Sequence, residues 1–485
     1  MELENIQKKQ FINLFQIEMW ERFAFYSFTS LFVLFTISMS FSEKDAYMIF
    51  GVFSGLAYGL PVVGGIIADK LLGIKRAMVT GAIVLTLGYF SLGLSYSYHA
   101  VMLSLSMIAI GNALFKPAPS SLIGMIYDKD AAQTSAAFSM YYMAINIGAF
   151  FAGVAAPLIA KYTNFHIAFI VAAIGMLFAI LSFFKKFGLY KSLYNEVGSK
   201  PLELRNIAFS VLILCLLLLC SFILLNYNEV AFYIIIAITA SVLIYLFSSS
   251  FSYSDNVTKV KLITGVCLFV QAIFFFIIYA QTFSTLVIFA KNNVVLSIFG
   301  FDISPASFTS VSYFWILTLS PILAKLYLYI HEKKYNFNTF DKFATSIFLC
   351  AIAFLILYFA CITTAGADSK ITSLWLVIYY FLASLAELFI SAMGLAVAAQ
   401  YFPREKIGLC MGAWLLCQGC GQTLAGKIAG YISMPSESVS AKDSLIVFTN
   451  YFEKFSIVCF IVAIIFTVIA IYIRILSKKK NISFA

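Results

Sequence analysis

The sequence predicts an all-α protein that crosses a membrane many times, on three observations. Of its 485 residues, 62% are hydrophobic and 11% are charged, whereas soluble globular chains run roughly 45–50% and about 25%. The apolar residues gather into runs near 12–37, 47–68, 77–97, 100–123, 134–160, 165–184, 206–225, 230–250, 261–290, 307–330, 340–361, 372–401, 407–432 and 449–476. These fourteen runs match the roughly 20 residues a helix needs to span a bilayer and exceed the roughly 10-residue alternating strands of a membrane barrel. Basic residues collect on alternate loops: Lys8 and Lys9; Lys70, Lys75 and Arg76; Lys185, Lys186, Lys191, Lys200 and Arg205; Lys259 and Lys261; Lys333 and Lys334; Arg404 and Lys406; Lys478 to Lys480. The intervening loops hold only Lys44, Lys161, Lys291, Lys370 and Lys442. That alternation places both termini in the cytoplasm and requires an even number of crossings. It also explains the +10 net charge without a nucleic-acid partner; the lipid bilayer is the partner. Residues 1–10 mix Glu2, Glu4, Lys8 and Lys9 with no cleavable signal pattern, so the first apolar run is expected to target the chain. Nine cysteines, mostly inside apolar runs, do not form a secreted disulfide framework. Cys417-Gln418-Gly419-Cys420 has no partner ligands nearby and reads as packing.

The first run holds Gln16-Ile17-Glu18-Met19-Trp20-Glu21-Arg22-Phe23-Ala24-Phe25-Tyr26. On a helix Glu18, Glu21, Arg22 and Tyr26 share one face, at i, i+3, i+4 and i+8. Charge inside a membrane is expensive and usually serves a pathway. A carboxylate beside an arginine changes its protonation when a second ligand competes for that arginine, which is what a proton-coupled device needs. The plainer reading is a structural ion pair.

The second run ends in Gly64-Gly65-Ile66-Ile67-Ala68-Asp69-Lys70-Leu71-Leu72-Gly73-Ile74-Lys75-Arg76, glycines and opposite charges in a tight loop. Asp69, Lys75 and Arg76 are expected to form a charge network at the cytoplasmic surface. The pattern resembles the loop signature of the major facilitator superfamily, which makes these three a gating element. The fourth run carries Phe115-Lys116-Pro117-Ala118-Pro119-Ser120. Lys116 is a second buried cation, and the prolines bend its helix. The fifth carries Tyr141-Tyr142-Met143-Ala144-Ile145-Asn146-Ile147-Gly148, with Asn146 a buried amide. Runs seven and eight are apolar all round and read as a lipid-facing hairpin linking two six-helix halves. The ninth has a polar patch at Gln281, and the twelfth has Glu387 as the only acid within its span, with Ser391 one turn on. If the halves enclose a cavity, Arg22 and Lys116 on one wall and Glu387 on the other suit a small zwitterion.

Together these motifs resemble the proton-dependent oligopeptide transporters, the peptide branch of the major facilitator superfamily, and most of all its bacterial dipeptide and tripeptide permeases. Glu18-x-x-Glu21-Arg22-Phe23, Phe115-Lys116-Pro117 with Ser120, Tyr141 to Gly148, Glu387-Leu388 with Ser391, and Met411-Gly412-x-Trp414 carry the resemblance, which runs from about residue 12 to 476. It implies twelve core helices in two bundles plus a two-helix insertion, with an N-terminal bundle over 1–190, a linker and insertion over 191–258, and a C-terminal bundle over 259–485. It implies alternating access in the inner membrane of a bacterium, with no cofactor and protons as the coupling ion. Glu18, Glu21, Arg22 and Lys116 would couple protonation to the cycle. Lys116 would also meet the peptide carboxylate, Asn146 and Glu387 its amine end, and Tyr26, Tyr58, Gln281, Ser391 and Trp414 would complete the binding site. The chain is expected to function as a monomer. It departs from the family pattern at Phe25-Tyr26, at Thr29 where many members carry arginine, at Ala280 where many carry an acid, and at Ser312-Tyr313 where Asn-Pro is usual.

The same fold with another small cargo (a modified amino acid, nitrate or a drug) is the alternative. A membrane enzyme would need clustered His, Asp or Cys at a membrane face. The only clustered titratable set, Glu18 to Arg22, has no nucleophile beside a base.

Overall fold

A computed structural model describes residues 2–127, 131–201, 203–298, 300–333, 337–364, 370–391, 393–434 and 440–480; Lys334 of the basic loops lies outside the described residues. The helices in order are α1 (Glu2–Ser38), α2 (Glu43–Gly59), α3 (Pro61–Ile67), α4 (Ile74–Gly93), α5 (Tyr98–Phe115), α6 (Pro117–Ile126), α7 (Ala131–Tyr162), α8 (Phe165–Lys185), α9 (Leu204–Asn226), α10 (Asn228–Ser249), α11 (Asn256–Tyr279), α12 (Thr285–Asn293), α13 (Phe308–Glu332), α14 (Thr339–Thr364), α15 (Ser373–Ile390), α16 (Gly394–Tyr401), α17 (Ile407–Gly430) and α18 (Ala441–Lys480). A two-residue hairpin, β1 (Ser297–Ile298) with β2 (Phe301–Asp302), follows α12. Among the described residues, twelve helical segments are long and apolar enough to cross a membrane. α1 and α17 match them in length, about 55 and 36 Å at 1.5 Å per residue. Their apolar character is diluted by Glu18, Glu21 and Arg22 in one, and by glycines and glutamines in the other. With these two, fourteen helical segments, several of them made of two of the helices above, correspond to the fourteen apolar runs.

Contacts divide the chain into two compact units, residues 1–40 with 52–231, and residues 41–51 with 232–485. In the first unit α1 packs on α7 and α8, and α4 packs on α5 and α8. α5 and α6 meet at Lys116. Pro117 lacks the N–H that would bond the Ala113 carbonyl, and α3 packs directly on that freed oxygen at Gly64, where a Cβ would collide with it. α1 begins about ten residues before the first apolar run. Its polar extension is held by side-chain bonds: Gln7 donates to the Ile126 carbonyl (2.7 Å), Gln10 to the Leu189 carbonyl (2.6 Å) and Asn13 to Ser182 Oγ (2.6 Å).

The segment between α8 and α9 is docked against this unit. The Tyr190 ring is fully buried, and its hydroxyl donates to the Gln10 carbonyl (2.9 Å) or to Asn13 Oδ1 (2.8 Å). That burial raises the Tyr190 hydroxyl pKa far above the ordinary tyrosine value. Asn195 donates to the Ala68 carbonyl (3.2 Å), and its Oδ1 accepts from Gly198 N (3.1 Å). Gly73 faces this segment at φ +82°, a region L side chains rarely adopt. A Cβ there would lie 2.6 Å from the Gly198 Cα. Gly73→Ala is therefore expected to undock residues 187–200, at a cost of about 1–2 kcal/mol from the backbone conformation alone. Limited proteolysis checks this: trypsin should cut at Lys191 or Lys200 several times faster in the variant, and an unchanged rate would show the glycine to be dispensable.

In the second unit α11 packs on α17, α14 packs on α15 and α18, and α13 packs on α15. Residues 41–51 join it through Thr423, whose hydroxyl donates to the Gly51 carbonyl at 3.0 Å. Asn293 ties α12 to α18, donating to the Ala441 carbonyl (2.7 Å) and accepting from Ser444 (2.6 Å). Two helices of this unit are interrupted. α11 passes through a 3-10 turn (Ala280–Phe283) into α12, and α15 breaks after Ile390 before α16. α9 leans on α5 in the first unit, and α10 meets the second where Lys427 lies over the Phe232 ring (5.4 Å). Both hairpin helices are largely exposed, as lipid-facing apolar helices would be.

Candidate functional site

Two sets of buried polar groups stand out, one in each unit. In the first, the helical spacing on α1 brings the acids and the arginine together. Arg22 Nε lies 3.1 Å from Glu18 Oε1 and also pairs with Glu21. All three are nearly inaccessible, Glu21 fully so. The guanidinium also sits over the Phe25 ring (5.2 Å). Gly148 lets α7 come against this turn: a Cβ would run into the Met19 carbonyl and lie 3.1 Å from Arg22 Cβ. Lys116 sits at the proline elbow between α5 and α6, its ammonium 3.6 Å from the centre of the Tyr58 ring, in reach of a strong cation–π attraction. It lies within Coulombic range of Glu18, Glu21 and Arg22. The result is a quartet of two acids and two bases. One oxygen of each acid and one terminal nitrogen of Arg22 have no hydrogen-bond partner among the described residues. Unsatisfied buried charge of this kind is costly, so these atoms are available to a proton or a ligand.

Tyr141, quoted within the α7 motif but not singled out as a site residue, brings its hydroxyl beside Glu18. The available signal was that a fully buried tyrosine needs a partner for its O–H. Asn146 is buried on the same helix, its amide donating to the Tyr142 carbonyl at 2.8 Å. Tyr26 is half-buried beside Phe25. Thr29 turns its hydroxyl back on the Tyr26 carbonyl (3.5 Å).

In the second unit, Glu387 lies one turn before the break between α15 and α16. The hydroxyls of Tyr279 and Ser391 lie beside its carboxylate, and its Oε2 is buried with no hydrogen-bond partner among the described residues. Tyr279, directly before Ala280, is a second group the sequence reading passed over. Trp414 is buried in the same unit among Phe269, Phe276 and Phe343, with ring centres 5.9, 6.0 and 6.2 Å away. Its indole fills the space left by Gly394. Gln281 is fully buried and committed within the protein. Its amide donates to the Ile277 (3.2 Å) and Ala425 (3.5 Å) carbonyls, and its oxygen accepts from Thr285 (3.0 Å). Ser312, at the Asn-Pro departure, shares a 2.9 Å hydrogen bond with Ser384 and so joins α13 to α15.

The loop residues behave differently from the expected network. Asp69 is exposed on a π-helical turn (Ala68–Leu72). Lys75 donates to the Tyr190 carbonyl (2.6 Å), and Arg76 donates to the Leu72 (3.3 Å) and Lys200 (3.0 Å) carbonyls. Both cations thus hold the 190–200 segment, and neither pairs with an acid among the described residues.

A family model described as the POT family matches residues 75–446. The chain belongs to this family. This POT-family chain is 36% identical to the dipeptide and tripeptide permease B of Photorhabdus asymbiotica, over 98% of the chain and 97% of the relative. It is 34% identical to the permease of the same name from Salmonella typhimurium, over 98% and 96%. Its fold matches the crystal structure of tetrameric PepTSo2 with a TM-score of 0.85 at 30% identity, covering 97% of this chain and 99% of that one. A bacterial homologue of the human drug peptide transporters PepT1 and PepT2 matches at 0.84 and 30%, over 97% and 99%. The chain is therefore a multi-pass membrane transporter and not an enzyme.

Proposed function

We propose that this protein imports di- and tripeptides in symport with protons, by alternating access. The observation that carries the reading is the quartet in the first unit. With both acids ionised, Glu18, Glu21, Arg22 and Lys116 sum to zero charge. Protonating either acid frees a cation for a peptide carboxylate, so proton and peptide arrive together. In the second unit, the unpartnered oxygen of Glu387 is suited to a peptide's ammonium, with Tyr279 and Ser391 orienting the carboxylate. Asn146, Tyr26, Tyr58 and Trp414 are the remaining proposed binding residues. Gln281, bonded to Ile277 of α11, Thr285 of α12 and Ala425 of α17, serves best as support for the α11–α12 turn. Asp69, Lys75 and Arg76 are proposed to act in gating, through the segment the two cations hold.

The alternating basic loops support cytoplasmic termini. Each chain carries both polar sets, which supports the monomer as the transport unit; the tetramer of the PepTSo2 structure would then contain four such units. Moving one charge through 100 mV yields about 2.3 kcal/mol, enough for roughly fiftyfold accumulation.

The test is uptake of a labelled dipeptide into proteoliposomes with an imposed inward proton gradient. The gradient should raise accumulation at least tenfold over a proton-equilibrated control, and unlabelled di- and tripeptides should compete where free amino acids and nitrate do not. Uptake indifferent to the gradient would sink the symport reading.

A further inference from the structure

At the start of α4 the chain builds a cleft of about 420 Å³, apart from the two buried polar sets assigned to the peptide and the proton. The volume falls within the roughly 300–1,000 Å³ of small-molecule sites. Lys75, Arg76 and Val79 of α4, Phe184 of α8, and Phe187 and Tyr194 from the docked segment line it. Phe184, Phe187 and Tyr194 are exposed. Lys75 gives one N–H to the Tyr190 carbonyl, and Arg76 gives one each to Leu72 and Lys200. An ammonium has three donors and a guanidinium five, so several remain for a ligand. Neither cation has an acid partner among the described residues.

What leads away from the cleft is apolar. On α4, Ile83, Leu87 and Phe90 are exposed, continuing the face of Arg76 at helical spacing. On α8, Leu181, Leu177 and Ile174 are exposed, continuing the face of Phe184. Two apolar stripes therefore run along membrane-crossing helices from one cationic cleft.

We infer that this cleft is a binding site for an anionic phospholipid, with the headgroup phosphate on Lys75 and Arg76 and the acyl chains along the exposed stripes of α4 and α8. Charge complementarity selects an anionic headgroup, and the stripes select a lipid over a soluble phosphate. Because the two cations also hold residues 190–200, an occupied cleft would tighten the docked segment.

Native mass spectrometry of the purified chain tests this, after delipidation and titration with dioleoyl phosphatidylglycerol or dioleoyl phosphatidylcholine. Wild type should bind one phosphatidylglycerol with clear preference over phosphatidylcholine. Lys75→Gln with Arg76→Gln should weaken that event roughly thirtyfold, from the usual worth of two cations near anionic lipid. Val79→Trp, which fills the cleft and keeps both charges, should also abolish the tight event; it guards against the double variant merely losing its fold. Lys185→Gln with Lys186→Gln, cations at the same level outside the cleft, should leave it in place. Equal phosphatidylglycerol binding in wild type and both cleft variants would overturn the proposal. So would an equal loss in the Lys185 and Lys186 variant, or displacement of the lipid by inorganic phosphate at equal concentration.

Discussion

Glu21→Gln is expected to reduce gradient-driven dipeptide uptake to background while peptide counterflow persists. The side chain is fully buried and pairs with Arg22. Glutamine keeps its size and one acceptor oxygen, so the binding geometry survives, but the group can no longer carry a proton. Removing one member of a buried ion pair generally costs about 3–5 kcal/mol. Here Glu18 remains 3.1 Å from Arg22, which keeps the cation compensated and the cost below that range. A thermal melt close to wild type would separate lost coupling from lost fold. Driven uptake equal to wild type would remove Glu21 from the coupling role and leave it to Glu18.

Gly148→Val is expected to have the largest effect on the fold at the site. A Cβ at this position collides with a backbone carbonyl, that of Met19, and crowds Arg22 Cβ and Phe23 N, both at 3.1 Å. Backbone cannot rotate aside as a side chain can. α7 must therefore retreat from α1 at the turn that carries Glu21 and Arg22, taking the Tyr141 hydroxyl away from Glu18. Overpacking of this kind costs about 1–3 kcal/mol, and the β-branched side chain sits at the upper end. Binding and driven uptake should fall together, with a lowered melting temperature. A variant with wild-type melting and wild-type uptake would show that the two helices have slack there.

The bilayer made most of the fold legible. A spanning segment must be apolar and about 20 residues long, so composition alone marks the fourteen spanning segments. The few charged residues inside them are conspicuous for the same reason. The pairing of Glu18 with Arg22 followed from helical spacing. What the sequence concealed were partners supplied by other helices. Tyr141 reaches Glu18 from α7, and Tyr279 reaches Glu387 from α11, through contacts that no local spacing encodes. The loop shows the same limit. Asp69, Lys75 and Arg76 are neighbours of opposite charge, so an ion-pair network was the natural expectation. In the structure the cations bind the carbonyls of Tyr190 and Lys200, and a backbone carbonyl leaves no mark in a sequence. Gln281 reads as a polar site residue until the Ala425 carbonyl is seen beside it.

The proline elbow at Lys116 has a mechanical consequence. α5 and α6 have 18 and 10 residues, so they act as lever arms of about 27 and 15 Å at 1.5 Å per residue, with the lysine at the fulcrum. A change of about 10° at that point carries the far end of the shorter arm through roughly 2.6 Å while the ammonium itself barely moves. The charge can hold its position relative to Glu18 and Glu21 as the end of its own helix swings. A straight, unbroken rod would have to drag the lysine with it.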